Sequence, residues 1–173
     1  MTTLNGELPD DLRTALVSIY EEVMWLASRP NVTPSRARAW YTHVMAESVK
    51  RRVRHFTGQV SVCAASGDGT GLRLEHYRRI QTTLTGLVNR HHREQRSDPE
   101  EFVRTLLDYE SVHIVTIAEN YAAMRAGGDY EKAGTVLQPW EEIPEARQQM
   151  LWRSMLRNKV ANAGSFMRRP VGD

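Results

Sequence analysis

The chain has 173 residues, of which 40% are apolar and 25% are charged, and its formal net charge is +2. This length favours one folded domain, and the composition argues against a disordered chain. No apolar run approaches the roughly 20 residues that cross a bilayer, and the N-terminus lacks the basic head and apolar stretch of a secretory signal.

The single cysteine, Cys63, excludes an internal disulfide and a zinc site built from paired cysteines. Its neighbours in the stretch VSVCAA are small or apolar, so we expect Cys63 to be buried as a small hydrophobe. Because the sequence has neither a secretory signal nor a membrane-spanning segment, we expect a cytoplasmic protein that does not contact a membrane. We also expect no cofactor.

The first predicted helix lies in the segment LPDDLRTALVSIYEEVMWLASRP. Its apolar residues between Leu12 and Leu26 follow the three-and-four spacing of a buried helical stripe. Asp10 or Asp11 can cap its start, and Pro30 follows its end.

The second predicted helix begins at Pro34, after Thr33 as the N-cap, and runs to Gly58. The next stretch, TGQVSVCAASGDGTG, is the only segment in which a strand is plausible. It is too short to predict a sheet, so we interpret it as a linker that ends in a glycine-rich loop.

A long amphipathic helix is predicted over LRLEHYRRIQTTLTGLVNRHHREQ, with His91 on its apolar stripe near the C-terminal end. The following start signal is the clearest in the chain, because Asp98 can cap a helix that has Pro99 first and Glu101 third. That helix is predicted to continue to Gly127.

A short helix is predicted over DYEKAGTVL, and a last one runs from Pro144 to Gly164. Residues 165–173 are predicted to be a frayed tail. The sequence therefore predicts an all-α fold, a single helical-bundle domain over residues 1–173 with five to six helices.

Basic residues cluster on the second and third predicted helices, and arginine strongly outnumbers lysine there. Arginine-rich faces suit phosphate contacts, because neutralised phosphates supply most of the affinity of nucleic-acid-binding proteins. We therefore expect a non-enzymatic protein that binds DNA or RNA. The residues expected to bind it are Arg36, Arg38, Lys50, Arg51, Arg52, Arg54, Arg78, Arg79, Arg90 and Arg93.

The alternative is a protein-interaction subunit of a larger assembly or a homo-oligomer. Residues 97–147 contain eleven acidic and four basic residues, which suits a basic partner surface. Trp140 and Trp152 are expected to be exposed and to contact that partner.

A second alternative is a helical-bundle enzyme. The segment Arg38-Ala-Trp-Tyr-Thr-His43 resembles the Arg and His pattern of HEPN-type ribonucleases, which are also all-α bundles. The resemblance implies that His43 assists proton transfer and that Arg38 stabilises the phosphate. Ala39 departs from the family pattern, where a polar residue often follows the arginine.

The segment Glu110-Ser-Val-His113 has the E-x-x-H spacing of ferritin-like di-iron proteins, in which residues three apart on a helix hold one metal. His43 and Glu47 could supply a second pair of ligands. The alternative for His113 is a histidine that faces the core and has a hydrogen-bonded partner, and this is the interpretation we favour.

Overall fold

The computed structural model describes residues 8–43, 47–67, 71–76 and 80–167. Its contacts divide the chain into two compact units, one formed by Met1–Arg52 and Ile80–Asp108, the other by Val53–Arg79 and Tyr109–Asp173. The prediction of an all-α fold is wrong, because the second unit contains a four-stranded sheet. Within the described ranges, no helix is both long enough and apolar enough to cross a membrane.

The described part of the chain contains eight α-helices and four strands. In chain order they are α1 (Asp10–Ala27), α2 (Pro34–His43), α3 (Glu47–Val53), β1 (His55–Ser61), α4 (Val62–Ser66), β2 (Leu72–His76), α5 (Ile80–Arg93), α6 (Pro99–Tyr109), β3 (Ser111–Thr116), α7 (Ile117–Arg125), β4 (Leu137–Pro139) and α8 (Glu145–Leu151).

The first unit is helical and contains α1, α2, α5 and most of α3 and α6. The predicted first helix is confirmed, and its stripe residues Leu16 and Val23 are fully buried. Aromatic rings fill the centre of this unit. The ring centroid of Phe102 lies 5.4 Å from that of Tyr20 and 6.4 Å from that of Tyr41.

The second unit is built on a mixed sheet with the strand order β2-β3-β1-β4. β1 and β3 are parallel, while β2 pairs antiparallel with β3 and β4 pairs antiparallel with β1. The register between β1 and β3 shifts between Phe56 and Val60, where Gly58 has a φ of 79°. This positive φ suits glycine at an irregular point of a strand.

One face of the sheet packs against the helices that follow it in the chain. Alternate strand residues such as Phe56, Val112 and Ile114 enter a core shared with Trp140 and Leu156. Successive side chains of a strand point to opposite faces of the sheet, so the intervening side chains, such as His113, lie on the other face.

Three predicted helices are therefore too long, because strands replace parts of them. The second prediction ran through Phe56, which lies in β1, and the third included β2. The predicted helix from Asp98 to Gly127 is interrupted by β3. The sequence SVHIVT explains this interruption, because β-branched residues favour the pleated backbone of a buried strand.

The last part of the chain also differs from the prediction. Residues 129–134 form turns rather than a helix, and the helix that follows Pro144 changes to a π-helix at Trp152–Leu156. The predicted tail is described only as far as residue 167, and within it the ring of Phe166 packs 4.7 Å from that of Phe56. Residues 168–173 lie outside the described residues.

Two helices begin directly at the carboxyl ends of the parallel strands. The Ser61 side chain caps α4, and the Thr116 side chain caps α7. One carboxylate oxygen of Glu119 accepts hydrogen bonds from the hydroxyls of Ser61 at 2.6 Å and Thr116 at 2.9 Å. Glu119 therefore joins the two strand ends while it completes the capping box of α7.

Replacing Gly71 with Ala tests the tight turn before β2. Gly71 has a φ of +78°, and an added Cβ would lie 2.6 Å from Cδ1 of Ile117. Gly127→Ala is the matched control, because Gly127 has a φ of +76° and nothing within 4 Å of an added Cβ. We expect Gly71→Ala to lower the free energy of unfolding by about 1–3 kcal/mol more than the control does, as measured by urea denaturation. Equal losses for the two variants would contradict the close approach of Ile117.

Candidate functional site

The ten basic residues predicted to bind nucleic acid do not form one continuous set. Arg54 belongs to the second unit, and Arg78 and Arg79 lie outside the described residues. The other seven belong to the helical unit, and they are Arg36, Arg38, Lys50, Arg51, Arg52, Arg90 and Arg93.

Three of these seven form ion pairs within the helical unit. Each such carboxylate neutralises part of the charge that would attract a polyanion, although surface pairs of this kind are weak. The pairs are Arg52 with Asp11 at 2.8 Å, Arg93 with Glu94 at 3.2 Å, and Arg90 with Glu101.

Two of the predicted cations, Arg38 and Lys50, meet at Thr42. Arg38 Nη1 donates to the Thr42 hydroxyl at 2.8 Å, and Lys50 Nζ donates to the Thr42 carbonyl at 2.5 Å. Arg38 Nε also donates to the Thr85 hydroxyl at 3.3 Å, so a residue of α5 helps to hold the guanidinium. We call these four residues the Thr42 cluster.

Within the described ranges, no acid balances the charges of the Thr42 cluster. Among the described residues, neither Arg38 nor Lys50 forms an ion pair with a carboxylate. Arg38 is only 8% exposed, and burial lowers its pKa below the usual value for arginine. A guanidinium has more N–H donors than the two used here, so this cluster offers both positive charge and free donors to an anion.

Other exposed groups lie near this region, but those of α2 are on a different face of the helix. Arg36 and Trp40 are each two positions from Arg38, which places them about 160° around the helix axis from it. Arg36 is exposed on α2, and Arg51 is exposed on α3 next to Lys50. Trp40, 37% exposed, lies four residues after Arg36 and therefore on the same face of α2. The Trp40 indole faces α1, where its Nε1 donates to Glu22 Oε2 at 3.2 Å.

The structure does not bring together the Arg38 and His43 of the HEPN-like pattern. Five positions along an α-helix turn the side chain by about 140°, so the two residues leave α2 on different flanks. Arg38 is buried against threonine hydroxyls, whereas His43 is exposed at the end of the helix. Nothing in this arrangement pairs the histidine with the guanidinium.

Glu110 and His113 are also separated, because this part of the chain is a strand and not a helix. Residues three apart in a strand point to opposite faces of the sheet. The side chain of Glu47, the other acid considered for a metal, lies outside the described residues. Within the described ranges, no group of three or more His, Cys, Asp or Glu residues is placed to hold a metal ion.

Glu110 instead belongs to a charged cluster at the end of the sheet where β1 and β3 begin. Its carboxylate is 2% exposed and lies 3.0 Å from Nε2 of His76 and 3.5 Å from Nε of Arg54. Arg54 is therefore a cation whose charge is offset by a buried acid, and it is only 15% exposed. This position makes Arg54 a structural residue rather than part of a binding face.

His113 lies on the opposite face, where it is 4% exposed. Its Nδ1 is 2.5 Å from the Thr57 hydroxyl, and its ring centroid is 5.7 Å from that of Tyr130. Burial lowers the pKa of His113 to about 4, so the ring is neutral at physiological pH. This is the core-facing, hydrogen-bonded histidine that the sequence favoured over a metal ligand.

His91 is fully buried within the helical unit, in agreement with its predicted place on the apolar stripe near the C-terminal end of its helix. Its Nδ1 lies 2.9 Å from the Tyr20 hydroxyl, and its Nε2 lies 2.9 Å from Glu101 Oε2. The hydrogen bond to His91 is the largest cause that lowers the pKa of Glu101. These bonds join α1, α5 and α6, and they identify His91 as a structural residue.

The exposed aromatic residues also differ from those predicted. Trp140 is 4% exposed, and Trp152 packs partly buried against the core of the second unit. The exposed tryptophans are Trp25 and Trp40, both in the helical unit. Cys63, expected to be buried, is exposed on α4 because the stretch around it is a capped helix at the end of a strand.

Sequence reasoning named Arg38 and Lys50 but missed the threonines that hold Arg38. One signal was available, because Thr42 follows Arg38 by four residues and therefore lies beside it on a helix. The contribution of Thr85 depends on the packing of α2 against α5, which no local pattern reveals.

The low pKa of His113 makes the stability of the fold depend on pH. In the unfolded chain a histidine titrates near 6.5, so between pH 6.5 and 4 the unfolded state binds a proton that the folded state does not. The free energy of unfolding should therefore fall by about 3 kcal/mol as pH drops through this range. Urea denaturation of the protein and of His113→Asn measures this, and the variant should lose that part of the pH dependence. His92→Asn, at an exposed position, is the control. If the free energy of unfolding of His113→Asn depends on pH as that of the unaltered protein does, His113 is not the cause of this pH dependence.

Comparison of the chain with family models, curated proteins and solved structures finds no significant match. A functional conclusion therefore depends on the chemistry of the residues described above.

Proposed function

We propose that the protein binds nucleic acid and that the Thr42 cluster of the helical unit contacts the phosphate backbone. The observation that carries the proposal is the convergence of Arg38 and Lys50 on one threonine, with no carboxylate paired to either among the described residues.

The cost of burying a charge explains why this observation points to a ligand. A buried cation is stabilised by an acid, by hydrogen bonds, or by both. Among the described residues, the side-chain partners of Arg38 are hydroxyls, which leave its charge unbalanced, and burial lowers its pKa. A phosphate would supply the missing negative charge and would accept the remaining guanidinium donors in a planar, bidentate arrangement.

A neighbouring residue favours nucleic acid over a small free anion. Arg51 is exposed next to Lys50 on α3 and adds positive charge beside the cluster, as a repeating phosphate backbone requires.

The test is binding of fluorescein-labelled single-stranded RNA and DNA, followed by fluorescence anisotropy over a series of salt concentrations. We expect the protein to bind at low salt and to lose affinity steeply as salt rises. The double variant Arg38→Gln/Lys50→Gln should bind at least about tenfold more weakly, and the slope of log K against log salt should be shallower by about 1–2.

Arg52→Gln/Arg93→Gln is the matched control, because it removes the same charge at two sites that already have acidic partners. Its affinity should change less than about threefold. Arg38→Lys keeps the charge and separates loss of charge from loss of the guanidinium geometry. The proposal is contradicted if the protein does not bind at low salt, or if the folded double variant binds like the control.

A further inference from the structure

The second unit carries a cationic segment that the predicted binding residues do not include. Residues 146–172 contain six basic residues and no acidic residue. Three of them, Arg153, Arg157 and Lys159, are exposed in a turn that follows α8. We call residues 153–159 the cationic turn.

The backbone of the cationic turn is irregular at two points. Trp152–Leu156 is π-helical, and the Arg157 amide donates to the Trp152 carbonyl at 2.9 Å. Asn158 has a φ of 60°, in the left-handed region in which an asparagine can end a helix. π-Helical segments are frequent at functional sites, where they direct side chains that a regular helix would not.

The chain after the turn is held firmly on the sheet. The Asn162 side chain accepts from the Phe56 amide at 2.9 Å and donates to the Phe56 carbonyl at 2.8 Å. Trp152 Nε1 donates to the Ala163 carbonyl at 2.9 Å, and Val160 is 6% exposed in the core. The cations are therefore presented by a rigid support, which lowers the entropic cost of binding.

The two arginines of the cationic turn differ from Arg54 in their ion-pair partners. Arg54 faces the buried carboxylate of Glu110, whereas neither Arg153 nor Arg157 forms an ion pair within the described part of the chain. Lys159 donates to the Ser154 carbonyl at 2.7 Å, where it offsets the negative end of the π-helical segment.

We propose that the cationic turn is a second nucleic-acid contact, in which Arg153 and Arg157 bind backbone phosphates. Guanidinium groups on an acid-free segment match the charge and the bidentate geometry of a phosphodiester. The inference extends the proposed function to the second unit and depends on it.

The test compares Arg153→Gln/Arg157→Gln with Arg73→Gln/Arg125→Gln in the anisotropy assay with single-stranded RNA. The control removes two exposed arginines of the same unit that lie outside the turn. We expect the turn variant to bind about tenfold more weakly and its salt slope to be shallower by about 1–2, while the control changes less than about threefold. Thermal unfolding of both variants verifies that they are folded, and Arg153→Lys/Arg157→Lys should restore part of the affinity.

The outcomes separate this inference from the proposed function. If the Arg38 and Lys50 variant loses affinity while the folded turn variant binds like its control, the inference is wrong and the proposed function stands. If only the turn variant loses affinity, the turn is confirmed and the Thr42 cluster is not a phosphate contact. A protein that does not bind at low salt overturns both, and so does binding that is insensitive to salt.

Discussion

The parallel pairing of β1 with β3 is the contact on which the architecture of the second unit depends. The two strands are separated in sequence by α5 and α6, and a parallel pair always needs such a crossover connection. β2 extends this pair by pairing with β3, and β4 extends it on the other side by pairing with β1. Glu119 reinforces this contact, because its carboxylate accepts from residues that end both strands.

Two buried arginines show how differently a fold can treat the same charge. Arg54 faces the buried carboxylate of Glu110, which His76 also contacts, and together they form a local charge balance. Arg38 has two threonine hydroxyls and no carboxylate among the described residues. The first arrangement is complete without a ligand, whereas the second leaves a positive charge that an anion would stabilise. This difference separates structural cations from candidate binding cations more clearly than position in the sequence does.

Prolines marked two helix starts correctly, whereas other helix starts and most helix ends were predicted poorly. Pro34 and Pro99 both begin helices as expected, because the missing amide and fixed φ of proline suit the first position. The strands were missed because each is short, and Leu72 and Leu74 of β2 fit the edge of a helical stripe as well as a strand. Their pairing partners are distant in sequence, so no local window contains the evidence for a sheet. For the site, composition identified the basic residues, but which of them have acidic partners depends on tertiary contacts.

If the Thr42 cluster binds anions, diffraction from crystals soaked in selenate or tungstate will show a bound ion there. Either oxyanion resembles phosphate in charge and shape, and its heavy atom gives an anomalous signal. We expect an anomalous peak within hydrogen-bonding distance of the Arg38 guanidinium and the Lys50 ammonium. Peaks at other cations only, or a carboxylate of the chain itself bound to Arg38, would contradict it.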